Sequence, residues 1–349
     1  MQKKSKTISS LRIGYIHSYI HFAVEVACFY FLFSRFSNSP IWWGCALLYD
    51  ALAFMPQGFI GIVADKYSRF NYSILGMTIV LVSLVLPFDF FALVLIGIGN
   101  SLVHIGGAQH TLKTSGGKIA STGIFVGGGS FGVITGQLLG MLHKDYLVLI
   151  PILFTILSIV ILISISRRYV VEKKKWSIDI TSKLPTGWIV FIAFMVTAIR
   201  AYIGYAIPTE WKKTEWQAIL LFFIMGIGKM AGGLLADTIG YYRTVLLSSL
   251  ALPFLLFGNS NMMLSLVGVG LFSMTMPITI SILASRFPKQ LCFAFGITTI
   301  ALFVGSFPAF FIKPTSLLAH QITVLILIII ATTTLLICLE KRKQNEINN

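Results

Sequence analysis

Gly61-Ile62-Val63-Ala64-Asp65-Lys66-Tyr67-Ser68-Arg69 closes one apolar stretch of the chain, and Gly233-Leu234-Leu235-Ala236-Asp237-Thr238-Ile239-Gly240-Tyr241, with Arg243 just beyond, closes another. The two segments share a glycine, an alanine and an aspartate in register, and Asp65 and Asp237 stand 172 residues apart in a chain of 349. A repeat at half the chain length means two copies of one architectural unit. What surrounds the repeat says what the unit is made of. Hydrophobic residues make up 56% of the chain and charged residues 11%, with a mean hydropathy of +0.86, whereas a soluble domain carries about 25% charged residues. Long uncharged stretches recur from Leu11 to Leu339, each near the ~20 residues that cross a bilayer as a helix. A water-soluble enzyme is thereby excluded. A transmembrane barrel is excluded too, since the alternating segments of about 10 residues it requires are absent.

Breaking the chain at charged, proline and glycine clusters gives twelve spans, at 12 to 34, 41 to 64, 71 to 88, 91 to 112, 119 to 142, 146 to 166, 186 to 206, 216 to 236, 243 to 258, 262 to 285, 290 to 312 and 318 to 339. With the amino terminus inside, inner segments hold 20 Lys and Arg and outer segments 5. That bias puts both termini in the cytoplasm. The net charge of +15 therefore belongs to loops that meet anionic headgroups, and nucleic acid is not an expected partner. The longest connection carries Arg167, Arg168, Lys173, Lys174, Lys175 and Lys183 and divides the chain into residues 1–168, a linker at 169–185, and residues 186–349. The apolar start carries His17, His21 and Glu25 and lacks a small-residue cleavage site, so it reads as a retained first span rather than a signal peptide. Cys28, Cys45, Cys292 and Cys338 lie singly in apolar segments and read as packing residues.

The Gly-x-x-x-Asp-basic-x-small-Arg pattern between spans 2 and 3, echoed between spans 8 and 9, resembles the loop motif of the major facilitator superfamily over the whole chain. The resemblance implies an all-α integral membrane fold in which twelve transmembrane helices form two six-helix bundles of like topology around a central cavity. It also implies a conformational latch: Gly61, Asp65 and Arg69 match the motif, and Gly233, Asp237 and Arg243 its second copy. In the family the acid contacts a facing helix terminus and the basic residues. Thr238 and Tyr241 replace basic residues in the second copy, so the second latch is expected to be the weaker.

Ionisable groups inside the bilayer are costly, at about 2.5–3.5 kcal/mol each on insertion scales, and mark functional sites. Away from the span ends they are His17, His21 and Glu25 in span 1, Asp50 in span 2, His104 in span 4, Arg200 in span 7 and Lys229 in span 8, with none in the interior of spans 3, 6 or 9. The resemblance makes spans 1, 4, 7 and 10 cavity walls and leaves 3, 6, 9 and 12 outside, which fits. Glu25, near the middle of span 1, is the expected proton-coupling acid, with Asp50 second and His21 beside it. Arg200 and Lys229 suit an anionic or zwitterionic substrate. Asn100 and His104, one turn apart, His17, and Gln57, which holds the position of Lys229 in the first half, complete the expected substrate-binding set. An alternative partner for Glu25 is a fixed ion pair with Arg200 or Lys229.

His17, His21 and Glu25 recur every four residues on one broad helix face, a pattern that also fits a divalent metal. Span 5 carries Gly123, Gly127, Gly128, Gly129, Gly132, Gly136 and Gly140, whose small-xxx-small spacing permits close helix packing. The same stretch partly resembles the antiporter motif of exporters in the family, with Gly128 where that motif has proline. The expectation is a monomeric secondary transporter of the plasma membrane, with no cofactor and no resident metal, that exports a drug or metabolite in exchange for protons. Alternatives are proton-linked import of an organic anion, export of a divalent metal, and a non-transporting receptor. No nucleophile and base stand at a spacing that would suit an intramembrane enzyme.

Overall fold

The computed structural model of the chain describes residues 6–170, 174–207, 209–311 and 321–339. It is a multi-pass membrane protein. Ten helices among the described residues are long and apolar enough to cross a membrane. They are span 1 (Ser10–Phe36), span 2 (Trp42–Lys66), span 4 (Asp89–Ser115), span 5 (Ala120–Met141), span 6 (Asp145–Arg168), span 7 (Thr186–Ala206), span 8 (Glu215–Thr238), span 10 (Met262–Arg286), span 11 (Leu291–Phe310) and span 12 (Gln321–Cys338). Two shorter apolar helices, span 3 (Tyr72–Val85) and span 9 (Tyr241–Leu256), complete the expected twelve. Lys3, Lys4, Lys173, Lys313, Lys341, Arg342 and Lys343, which entered the charge count, lie outside the described residues.

Local chemistry sets the boundaries. Asn71 and Asn261 cap spans 3 and 10 by accepting the backbone N–H of Ile74 and Leu264, each at 3.1 Å, and Thr214 opens span 8 with a capping box closed by Gln217. Span 4 ends at Gly116, whose φ of 67° is the left-handed conformation that glycine adopts at no steric cost. Span 2 breaks around Pro56 and span 9 before Pro253, where the ring removes a helical donor.

Three apolar cores hold the helices together, and their distribution is uneven. One contains side chains from both halves of the chain, among them Ala64, Leu112, Ile119 and Phe125 with Ile189, Ala236, Ile282, Phe295 and Leu335. All of these lie toward the end of the bundle where span 1 begins and span 12 finishes. Toward the opposite end the cores separate. One is built only from spans 1–4 and 6, around Phe31, Tyr49, Met77 and Leu93; the other only from the second half, around Ile203, Leu255, Phe272 and Ile328. The two six-helix halves are therefore fused by an extended shared core at one end, while toward the other they meet through single ring pairs, Phe131 with Phe223 at 5.3 Å and Trp43 with Phe310 at 6.2 Å between centroids.

The connection between the halves lies at that fused end. Trp176 and Ile180 enter the shared core. The linker backbone bonds to both sides, with Lys174 N–H donating to the Lys113 carbonyl at 2.7 Å and Ser182 N–H to the Cys338 carbonyl at 2.9 Å. Lys6–Thr7 pairs in parallel with Tyr169–Val170, and Arg286 donates to the Ser182 carbonyl at 2.7 Å. We call this the linker end. Spans 6 and 12 stand at the periphery and present bare apolar side chains such as Leu153, Val160, Ile322 and Ile329, the surface a lipid solvent requires.

Candidate functional site

At the linker end the two copies of the repeated motif meet the opposite half of the molecule. Asp65 accepts the backbone N–H of Cys292 at 3.2 Å and of Phe293 at 2.9 Å, at the start of span 11. Asp237 accepts from Ile119 N–H at 2.9 Å and from Ala120 N–H at 2.8 Å, at the start of span 5. The first N–H groups of a helix have no partner within it and carry the positive end of its dipole, so a carboxylate there satisfies both deficits. One turn earlier the glycine explains itself. A Cβ on Gly61 would lie 2.6 Å from the Cys292 carbonyl oxygen, and one on Gly233 would lie 2.9 Å from the Gly123 Cα. Only a hydrogen fits where the helices cross.

The basic partners differ from the motif-based expectation. Arg69 and Arg243 are exposed, and no bond of either to an aspartate is present among the described residues. Lys113, on span 4, takes the role instead, with its ammonium 2.9 Å from Asp65 Oδ1. The second contact likewise has two backbone donors, Ile119 N–H and Ala120 N–H, at 2.8–3.1 Å from its carboxylate, and no ion pair to Asp237 is present among the described residues.

Near the middle of the first half lies a buried polar cluster. Glu25 is 5% exposed, His21 7% and His104 5%. The Nε2 atoms of His21 and His104 face one another at 2.8 Å and stand 3.5 and 3.4 Å from Glu25 Oε1. His21 Nδ1 lies 2.9 Å from the Phe125 carbonyl and His104 Nδ1 3.1 Å from the Asn100 carbonyl. Asn100 Nδ2 reaches Glu25 Oε1 at 3.3 Å, Tyr49 OH at 2.9 Å and Cys28 Sγ at 3.4 Å. Span 5 admits the cluster because it is glycine there: a side chain at Gly129 would run into the His21 ring, and one at Gly132 would meet Glu25 Cβ at 2.7 Å.

The remaining expected residues are dispersed. Asp50 is buried in span 2 and accepts from Ser306 Oγ of span 11 at 2.6 Å, across the junction between halves. Lys229 reaches across from span 8 to Ser130 of span 5 at 2.8 Å. Arg200 stays within the second half, stacked 4.5 Å from the Phe272 ring centroid and donating to the Phe272 carbonyl at 3.0 Å. Neither cation is within ion-pair distance of Glu25, whose carboxylate instead stands beside the two histidines. Gln57 is fully buried and donates to the Ala53 carbonyl at 2.7 Å. His17 is not in the Glu25 cluster; its Nε2 meets His110 Nδ1 at 2.8 Å. The set His17, His21 and Glu25 is therefore not assembled, and the three donor atoms that converge, within 4.8 Å of one another, belong to His21, Glu25 and His104.

Sequence reasoning missed Lys113, Tyr49, Ser130, Ser306 and His110. Ser130 and Ser306 are unremarkable in sequence because a hydroxyl in a membrane helix satisfies itself on the preceding turn; only their cross-helix neighbours single them out. Lys113 stands just past the fourth apolar stretch and reads in sequence as an ordinary inner-segment charge.

No family model and no curated protein sequence matches the chain. Solved structures do. The human organic anion transporter MFSD10 (TETRAN) superposes with a TM-score of 0.63 at 13% identity, covering 93% of this chain and 99% of that one. Two structures of FucP, the E. coli fucose:proton symporter, give TM-scores of 0.64 and 0.61 at 13% identity, each covering 95% of this chain and 98% of that one. The second is described as a major facilitator superfamily transporter in the outward conformation. The chain has the fold of the major facilitator superfamily.

Proposed function

We propose that the protein is a secondary transporter that moves a small molecule across the plasma membrane by alternating access, exchanging it for protons in the export direction. The observation that carries this reading is the Glu25–His21–His104 cluster. A carboxylate and two imidazoles sealed from water at mid-membrane depth are expensive to keep and suited to binding and releasing a cation. Residues 1–168 and 186–349 act as the two moving bodies and 169–185 as the linker. The basic-residue count supports a cytoplasmic position for the linker end. The two aspartate contacts then hold the cytoplasmic side shut, and their release lets the halves rock.

Glu25 and His21 serve as the proton-coupling groups, with Asp50 at the junction between halves. Lys229, which crosses that junction, and Arg200 give the second half its two cations, and these favour a carboxylate- or phosphate-bearing substrate. Gln57, His17, Asn100 and His104 are the remaining polar side chains assigned to substrate binding in this reading. A second reading, proton-linked import of an organic anion, draws support from the same two cations and from the printed functions of the structural neighbours, an organic anion transporter and a proton symporter.

The test uses inside-out vesicles with an acidified lumen and a pH dye, challenged with a panel of compounds. Substrate-evoked proton efflux in the parent protein, abolished in Glu25→Gln, is the expected result. Transport of a labelled substrate with no proton signal, unchanged in the variant, would refute coupling through Glu25.

A further inference from the structure

The atoms around Glu25 leave one proton unaccounted for, and their geometry shows where it resides. A carbonyl oxygen only accepts hydrogen bonds. His21 Nδ1 faces the Phe125 carbonyl and His104 Nδ1 faces the Asn100 carbonyl, so each Nδ1 carries a hydrogen, a tautomer assigned from the acceptor it meets. If both rings were neutral, each Nε2 would then be a bare lone pair. Yet the two Nε2 atoms approach to 2.8 Å, with Glu25 Oε1, itself an acceptor, at 3.5 and 3.4 Å. Three lone-pair donors would converge in a water-poor site with no hydrogen between them. The amide of Asn100 does not relieve this, because its contacts go to Glu25, Tyr49 and Cys28 and not to either ring.

A proton on the carboxyl group does not resolve the conflict. Its distances to the nitrogens exceed the roughly 2.5–3.0 Å of a hydrogen bond from an O–H group, and the nitrogens would still face each other bare. A divalent metal fits less well than a proton. Zinc bonds imidazole nitrogen at about 2.0–2.1 Å in tetrahedral geometry, which holds two such nitrogens about 3.3 Å apart, clearly longer than the separation seen here. A nitrogen-to-nitrogen distance of 2.8 Å is that of a strong, charge-assisted hydrogen bond.

We infer that a single proton bridges Nε2 of His21 and Nε2 of His104, with Glu25 ionised beside it as the counter-anion. This rests on the proposed coupling role of the cluster and deepens it by naming the atoms that hold the proton. The cation spread over the two rings and the carboxylate charge cancel, which is the condition for keeping either in a buried site. The titratable groups near the cluster are Cys28 on the same helix, Tyr49 and Asp50 on span 2, His17 one turn toward the linker end, and, from the second half, Tyr205 on span 7 and Lys229 on span 8, which is bonded to Ser130. None of them is in hydrogen-bond contact with either bridging nitrogen. Loading forms an N–H bond to one ring with a proton taken from water, and unloading returns that proton to water. Because the bridge joins span 1 to span 4, its loss turns an attraction into a contact between two lone pairs. Deprotonation thus loosens the packing of two helices on opposite sides of the bond.

The experiment is solid-state NMR on protein labelled with nitrogen-15 in its histidines, in lipid bilayers without substrate, joined to infrared difference spectra against Glu25→Gln. The expected result has three parts. A coupling between two Nε2 nuclei is present in the parent and lost in His104→Asn. No protonated-carboxyl band depends on Glu25. The bridging signal disappears in Glu25→Gln, which keeps the shape and removes the counter-anion. A protonated-carboxyl band that vanishes in Glu25→Gln, or two neutral rings in the parent, would overturn the inference. So would stoichiometric binding of Zn2+ that depends on both histidines and abolishes the coupling. The parent spectrum alone decides the matter if His104→Asn does not fold. These spectra are read on resting protein, so their outcome is separate from the proton-flux assay: flux without the bridge refutes this inference alone, and the bridge without flux refutes coupling alone.

Discussion

Asp65→Asn should open the linker end, and Cys292 should report the opening. The carboxylate holds two backbone N–H groups of span 11 and the Lys113 ammonium. The amide keeps the size, removes the charge, and turns one of two accepting oxygens into a donor that cannot receive an N–H. A hydrogen bond to a charged group contributes about 1.5–3 kcal/mol, and the helix N-terminus adds about 0.3–1 kcal/mol. Losing one such bond, with the other weakened to a neutral one, shifts the closed-to-open balance by ~2 kcal/mol, or ~30-fold at 1.4 kcal/mol per decade. Cys292 is fully buried beneath this contact, so its thiol reacts only when spans 2 and 11 part. With Cys28, Cys45 and Cys338 changed to serine, the rate of maleimide labelling tracks the open population when opening is fast relative to reaction. The expected result is a ~30-fold faster rate in Asp65→Asn, with the coupling to Lys113→Met measured by a double-mutant cycle. An unchanged rate in a folded, monodisperse Asp65→Asn and in Asp65→Ala would refute the latch.

Three further outcomes follow from the geometry. Gly136→Val should lower the melting temperature, because a Cβ there would lie 2.5 Å from the Val26 carbonyl oxygen and overpacking costs about 1–3 kcal/mol; an unchanged melt would mean that spans 1 and 5 are not in tight contact. Ser306→Ala should destabilise by about 1–3 kcal/mol by leaving Asp50 Oδ2 without its donor, whereas Asp50→Asn, which retains an accepting oxygen, should cost less in the same thermal assay. Lys229→Met should weaken binding of an anionic substrate by about tenfold or more and leave a neutral analogue unaffected; equal losses for both would remove Lys229 from the site.

Much of the fold was legible because membrane helices must satisfy their backbone internally, so each one leaves a long apolar signature that needs no tertiary context. Span 3 is an instructive shortfall. It ends at Val85 rather than residue 88, since Pro87 restricts the residue before it. The repeated aspartates Asp65 and Asp237 were legible through their spacing. Their cationic partner was not, because Lys113 lies on span 4, 48 positions from Asp65, and nothing local links the two. Glu25 announced itself as a charge in an apolar run, but its neighbours did not. A helix turns about 100° per residue, so eight residues put His17 roughly 80° around from Glu25. That is enough to carry it off the shared face and against His110, while His104 arrives from a different helix.

The crossing of the two aspartate contacts has a consequence for how the halves came to fit. Asp65 reaches from the first half to span 11, and Asp237 from the second half to span 5. Residues 172 apart thus face equivalent targets in exchange, which is the arithmetic of an isologous dimer interface, in which every contact occurs twice about a two-fold axis. In a true dimer one substitution would strike both copies. Here the two are joined in one polypeptide, and each can be adjusted alone: Lys113 reinforces the first contact, and an additional close backbone approach, Ile119 N to Asp237 Oδ2 at 3.1 Å, supports the second. Covalent linkage has turned a symmetric clasp into two independently adjustable ones.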